Sequence, residues 1–144
     1  METKIMNFII KTHTKDTQYN KPCLFLLNKG LNSGKPQKEP FTNSFVIIFE
    51  NQDDVDNVFF ISYSLWKTKF WHQFLIGSVI PFLRLQEFKK EFNQKVNALM
   101  QEHEKHKKSV AALKLLEEKE NQFLKNLNLI SDLRKAIIYQ YIKQ

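Results

Sequence analysis

All three glycines (Gly30, Gly34, Gly77) and all four prolines (Pro22, Pro36, Pro40, Pro81) fall within the first 81 residues of this 144-residue chain; the rest contains neither. Turns are therefore confined to the first part, and the second part reads as long helix. In the first part KIMNFIIKTHT alternates loosely and suits an edge strand, while PCLFLLN and SFVIIFE are short apolar runs suited to buried strands. A loop, GLNSGKPQKEPFTN, lies between those two runs. Asp53 and Asp54 then supply N-terminal carboxylates to a helix expected from about Val55 to Ile76, with Gly77 as its stop. Val55, Val58, Phe59, Ser62, Leu65, Trp66, Phe70 and Phe74 recur at three and four along it, a stripe that must face a sheet or another helix. SVIPFLRL follows as a short strand or extended link.

From Gln86 the spacing becomes a heptad. Val96, Leu99, His103, His106, Val110 and Leu113 keep an alternating three-four step, as do Leu116, Glu120, Phe123, Leu127, Ile130, Arg134, Ile137 and Tyr141. The two registers are offset by three residues near Leu113 to Leu116, which implies a stammer in one helix or a turn around EEKEN. A single helix of this length would span roughly 85 Å at about 1.5 Å per residue, beyond what the core before it can cover. The expectation is an α+β fold with a small mixed β-sheet packed on an amphipathic helix, followed by a long C-terminal helix or helical hairpin. It divides at 1–86 and 87–144. The second part is expected to pair as a homodimer through Val96, Leu99, Val110, Leu113, Phe123, Leu127, Ile130 and Ile137.

With 42% apolar residues and 13 Phe, the chain is too sticky to remain a solvated coil. A net charge of +7 favours nucleic acid or an acidic protein as partner. The single cysteine, Cys23, excludes an internal disulfide or a thiolate-rich zinc site and suits a reducing cytosol; within its apolar run it reads as a buried thiol. IMNFII is too short for a signal peptide, and no apolar run approaches the roughly 20 residues of a membrane helix. The expected compartment is the cytoplasm.

Several chemistries are set aside on spacing. GLNSGKP looks like a phosphate-gripping loop, but three residues, not four, separate Gly30 from Gly34, and Pro36 stands where a hydroxyl residue should hold Mg²⁺. His103 and His106 lie one turn apart beside Glu102 and Glu104, without the third protein ligand that a catalytic zinc requires. Glu87 and Lys89, with Asp53, Asp54 and Asp56, have the composition of a metal-dependent nuclease site, yet they sit at expected helix starts, where acids complement the dipole. His13, His72 and Cys23 have no activating neighbours in sequence. No metal, no cofactor and no enzymatic activity is expected. What remains is basic and aromatic: Lys21, Lys29, Lys35 and Lys38 run through the glycine loop, and SLWKTKFWHQF interleaves Trp66, Phe70 and Trp71 with Lys67, Lys69 and His72. Lys29, Lys35, Lys38, Lys67 and Lys69 are candidate phosphate contacts, and Asn32 or Trp71 could approach bases or a partner protein.

The runs LNKGLNSGKP, PFTNSFVI and SLWKTKFWHQFLIGSVIPFLRL resemble a functionally unassigned domain family of Bacteroidetes-type bacteria and their mobile elements, over residues 20–92. In addition, FLIGSVIPFLRLQEFKK and the later LISDLRKAIIYQYI are similar to the end of a target recognition domain and its spacer helix in type I restriction specificity subunits. Gly77, Ser78, Ile80, Pro81 and Leu85 match the turn, and Leu133, Arg134, Lys135, Ala136 and Ile137 the helix end. FKKEFNQK replaces the proline-rich linker of that family. This second resemblance implies sequence-specific DNA binding and paired spacer helices. The expected function is a non-enzymatic DNA-binding or restriction-specificity-like module with a self-associating helical arm. The alternative is a small phage or mobile-element protein that inhibits a host defence complex, of anti-restriction or anti-CRISPR type.

Overall fold

A computed structural model of the chain describes residues 7–143, apart from the side chains of His103 and Glu104. Four strands, β1 (Phe8–Thr12), β2 (Cys23–Leu27), β3 (Pro36–Gln37) and β4 (Ser44–Phe49), form one sheet in the order β1-β4-β2-β3. The α+β class is as expected, but every pairing is antiparallel and the sheet is not mixed. The reason lies in the connections. A parallel neighbour needs a crossover of a dozen or more residues, usually helical, and here every helix follows the last strand. β4 instead slots between β1 and β2 and runs opposite to both. β3 is a two-residue edge strand, where Pro36 leaves no central ladder bond unmade.

Alternation along the strands sorts two faces. Ile10, Leu24, Leu26, Phe45, Ile47 and Phe49 point into the main core and are all buried. On the opposite face Phe25 and Val46 are paired in register and also buried. There the β1–β2 connection folds over them: the rings of His13 and Tyr19 lie 5.2 and 6.1 Å from Phe25, and a 2.9 Å hydrogen bond joins His13 Nδ1 to the Tyr19 hydroxyl. Burial on both faces explains why CLFLL and SFVIIF are continuous apolar runs.

Helix α1 (Gln52–Lys67) starts three residues before the expected point and ends nine before it. Asn51 is the cap: its Oδ1 accepts from Asp54 N at 2.9 Å. At the other end Thr68 Oγ1 donates to Ser64 O at 2.9 Å, and Lys69 takes a left-handed φ of 58° that turns the chain. A short 3₁₀ turn, Phe70–Phe74, then directs Trp71 inward. Gly77 is thus no helix stop. It sits at φ 103° in a tight turn between Ile76 and Phe82, whose backbones exchange hydrogen bonds of 3.1 and 2.9 Å.

Helix α2 (Leu85–Gln101) buries Phe88, Phe92, Val96 and Met100, one stripe at four-residue steps. Phe88 stacks on Phe45 at 4.6 Å and Phe92 meets Phe8 at 5.8 Å, so α2 is part of the sheet's own core. The compact unit accordingly extends to His106, with a second unit from Lys107, rather than dividing at 86. Val96, expected in the oligomer seam, is a fully buried core residue, and Leu99 beside it is 42% exposed. The heptad register across this region breaks for a local reason. Glu102 (φ −97°, ψ 60°) separates α2 from α3, while α3 (His103–Ile142) runs unbroken through EEKEN. In α3 Val110 is buried and Leu113 half-buried, but Phe123, Leu127, Ile130 and Ile137 are 52–67% exposed. No helix among the described residues is long and apolar enough to cross a membrane.

Candidate basic and aromatic face

Phe59, Tyr63, Trp66 and Lys67 succeed one another at helical spacing on α1 and form a half-exposed flank beside its buried stripe. Tyr63 and Trp66 meet edge to face at 5.7 Å. Lysines from two segments of the chain, the β3 edge and α1 itself, meet on this flank. Lys67 Nζ lies 4.8 Å from the Trp66 ring centre and 5.6 Å from that of Tyr63. Lys35 Nζ, carried by the loop before β3, lies 5.2 Å over the same Trp66 ring. Lys38, just after β3, sits 5.2 Å over Phe59 and 3.9 Å from Asp56, a long and exposed pair. Each ammonium is within the roughly 6 Å at which a ring's negative face attracts a cation, a bias of about 0.5–1 kcal/mol at exposed sites. Three ammonium groups gathered over aromatic surface can engage phosphate oxygens or a carboxylate-rich surface.

The remaining expected contacts fall elsewhere. Lys29 and Lys69 are exposed, but among the described residues no ion pair or ring contact ties them to this group. Asn32 is exposed at the loop tip, where its carbonyl accepts from Lys35 N at 3.0 Å. Trp71 is the clear correction. It is 1% exposed, with the rings of Phe88 and Phe70 at 4.8 and 5.0 Å, so it belongs to the core and presents nothing to a base or partner. Trp66, assigned by spacing to the apolar stripe, is the indole at the surface.

GLNSGKP is tied to its surroundings at several points. Gly34 N donates to Leu27 O at 2.6 Å, Ser33 Oγ to Gly30 O at 2.6 Å, and Gly30 N to Pro81 O at 2.7 Å. His72 Nε2 bonds Leu31 O at 3.0 Å. Gly34 lies directly against the Trp71 indole, where any Cβ would overlap the ring. The loop is a lid on the core, and its path carries Lys35 to Trp66.

On the other side of Lys38 a cleft of about 510 Å³ is lined by Tyr19, Lys21, Cys23, Phe25 and Val55, among others. Burial pushes the Cys23 thiol above its usual range, and its Sγ donates to Lys21 O at 3.1 Å. Burial, with a smaller contribution from Cys23, also raises the Tyr19 hydroxyl. Both groups are therefore held protonated, the opposite of activation for nucleophilic work. Lys21 is matched by Glu50 at 2.9 Å. Among the described residues no three His, Cys, Asp or Glu side chains cluster as metal ligands; His103 lies outside the described side chains.

No curated protein matches this chain, and no solved structure does. The likeness to restriction specificity subunits therefore gains no support from them. A family model does match, over residues 10–140, which takes in the sheet, the basic flank of α1 and nearly all of α3. The chain belongs to that family, described as a family of unknown function, DUF6943.

Proposed function

We propose that this protein is a non-enzymatic nucleic-acid-binding module whose α1 flank meets the phosphate backbone, and whose helix α3 self-associates, so that each dimer carries two such flanks. One observation carries the reading: Lys35, Lys38 and Lys67 converge from separate parts of the chain on the aromatic flank of α1. A net charge of +7 adds a long-range attraction for a polyanion. Lys29, Lys69 and Asn32 serve as outlying contacts, and Trp66 replaces Trp71 as the indole at the interface. The likeness of residues 77–85 and 133–137 to specificity subunits inclines the reading towards duplex DNA.

The test is a gel shift on duplex DNA at two salt concentrations. For one engaged flank, three lysine–phosphate contacts give a log-log slope near −2.7, about a 40-fold loss of affinity between roughly 50 and 200 mM salt, and a second engaged flank steepens it further. Lys35→Ala with Lys67→Ala should flatten that slope by about two units. Affinity indifferent to salt, or no shift at low salt, would end the proposal.

A further inference from the structure

Helix α3 has a built-in preference for the direction of its partner. Along its outer half the seam runs Leu116, Glu120, Phe123, Leu127, Ile130, Arg134, Ile137 and Tyr141, at alternating four- and three-residue steps. Its apolar members are 52–77% exposed. Taking roughly 100 Å² for each of these six side chains, a chain offers about 600 Å² and two chains about 1,200 Å², at the lower end of the range of about 1,200–2,000 Å² that specific interfaces bury. A lone helix with this face in water has neither a packed core nor strong amphipathic support, which is where most helical stability arises.

The two charged seam positions decide the orientation. Side by side in a parallel pair, every seam residue faces its own copy, so Glu120 meets Glu120 and Arg134 meets Arg134, both like-charged. In an antiparallel pair with the two-fold axis between Asn128 and Leu129, Leu116 lies opposite Tyr141 of the second copy, Phe123 opposite Arg134, Ile130 opposite Leu127, and Ile137 opposite Glu120. Glu120 then lies three residues along the axis from the other copy's Arg134, about 4.5 Å of helix rise and within reach of both side chains. The arrangement occurs twice, by symmetry. The rejected orientation is penalised twice as well, which is how a seam specifies its partner.

From this we infer that α3 binds α3 of a second copy in antiparallel fashion, about an axis at residues 128–129, locked by two Glu120–Arg134 pairs. The inference rests on the self-association of α3 proposed above, and not on nucleic-acid binding.

The experiment places a spin label on the full chain at Ala112→Cys, in a Cys23→Ser background, and measures the distance between copies. The antiparallel register puts the labelled positions about 50 Å apart along the axis at 1.5 Å per residue. A parallel pair of touching helices, about 10 Å between axes, keeps the labels within about 20 Å. The long distance is the expected result. A short or intermediate distance overturns the orientation or register while leaving a dimer intact, and a monomer by sedimentation at tens of micromolar overturns self-association itself. Charge reversal gives a second reading: Glu120→Arg and Arg134→Glu should each weaken the dimer on the order of tenfold, and the double reversal should restore it. Failure of the double variant to recover overturns the pairing.

Discussion

Replacing Gly34 by Ala tests whether the glycine loop is a lid on Trp71 or a mere connector. Two costs combine at this position. The backbone holds φ at +93°, a conformation that costs an L-residue about 1–2 kcal/mol. The added methyl also overlaps the Trp71 indole, which is 1% exposed and pressed on by Phe70, Phe74 and Phe88, so the ring has nowhere to yield. Overpacking of a tight core costs about 1–3 kcal/mol more. Gly30 provides the control. Its φ is +87°, nearly the same, but a methyl there meets nothing within 4 Å. Gly30→Ala should therefore lose only the conformational part, about 1–2 kcal/mol, and Gly34→Ala about 2–5 kcal/mol in total. At about 4 °C per kcal/mol for a domain near 100 residues, thermal melts followed by circular dichroism should fall by about 4–8 °C and about 8–20 °C respectively. Equal shifts for the two variants would refute the packing of Gly34 on Trp71. The α3 signal should be separated by following near-ultraviolet ellipticity, which reports the core indole.

Two further predictions concern groups whose surroundings differ sharply. Trp66 is half-buried at the surface and Trp71 enclosed, so acrylamide should quench part of the emission in the native protein and very little in Trp66→Phe; undiminished quenching in that variant would put Trp71 at the surface. The raised Cys23 and Tyr19 groups make the fold sensitive to alkali. Each keeps its proton more tightly folded than unfolded, so stability is fully present below the unfolded values of 9.0 and 10.0 and falls as pH rises through the folded ones. Melting temperature should decline above pH 9, and less so in Cys23→Ala; a melting temperature that is flat to pH 11 contradicts the tighter hold of the fold on both protons.

The strands were legible because their signal is local. CLFLL and SFVIIF are buried on both faces, so composition alone marks them, and Gly30 and Pro36 punctuate the hairpin between β2 and β3. The order of strands was not, since insertion of β4 between β1 and β2 depends on pairings between residues 17 to 41 apart that leave no periodic trace. The end of α1 was missed for a different reason. Trp66, Phe70 and Phe74 continue the stripe at helical spacing, but Lys69 turns left-handed to bring Trp71 into the core, and no glycine marks that turn. Tertiary burial of one indole outweighed the propensity of the segment. That single displacement exchanged the roles of the two tryptophans and moved the candidate site from Trp71 to Trp66.

The heptad shows how one pattern can serve two physical ends. Val96 and Leu99 satisfy the same three-four rule as Leu127 and Ile130, yet Val96 packs under the sheet while Leu127 and Ile130 remain open. Spacing alone cannot separate these cases, because a helix on a sheet and a helix on a helix bury faces of similar width. What separates them is the supply of surface to cover. Phe8, Phe45 and Phe49 of the sheet need a lid, and α2 supplies Phe88 and Phe92 at the right distances, which consumes its apolar stripe. Beyond Glu102 the exposed side chains of the seam have no such surface within their own unit. The seam that the proposed self-association uses therefore begins after the break, and the charges at Glu120 and Arg134 bear on which way the second copy would run.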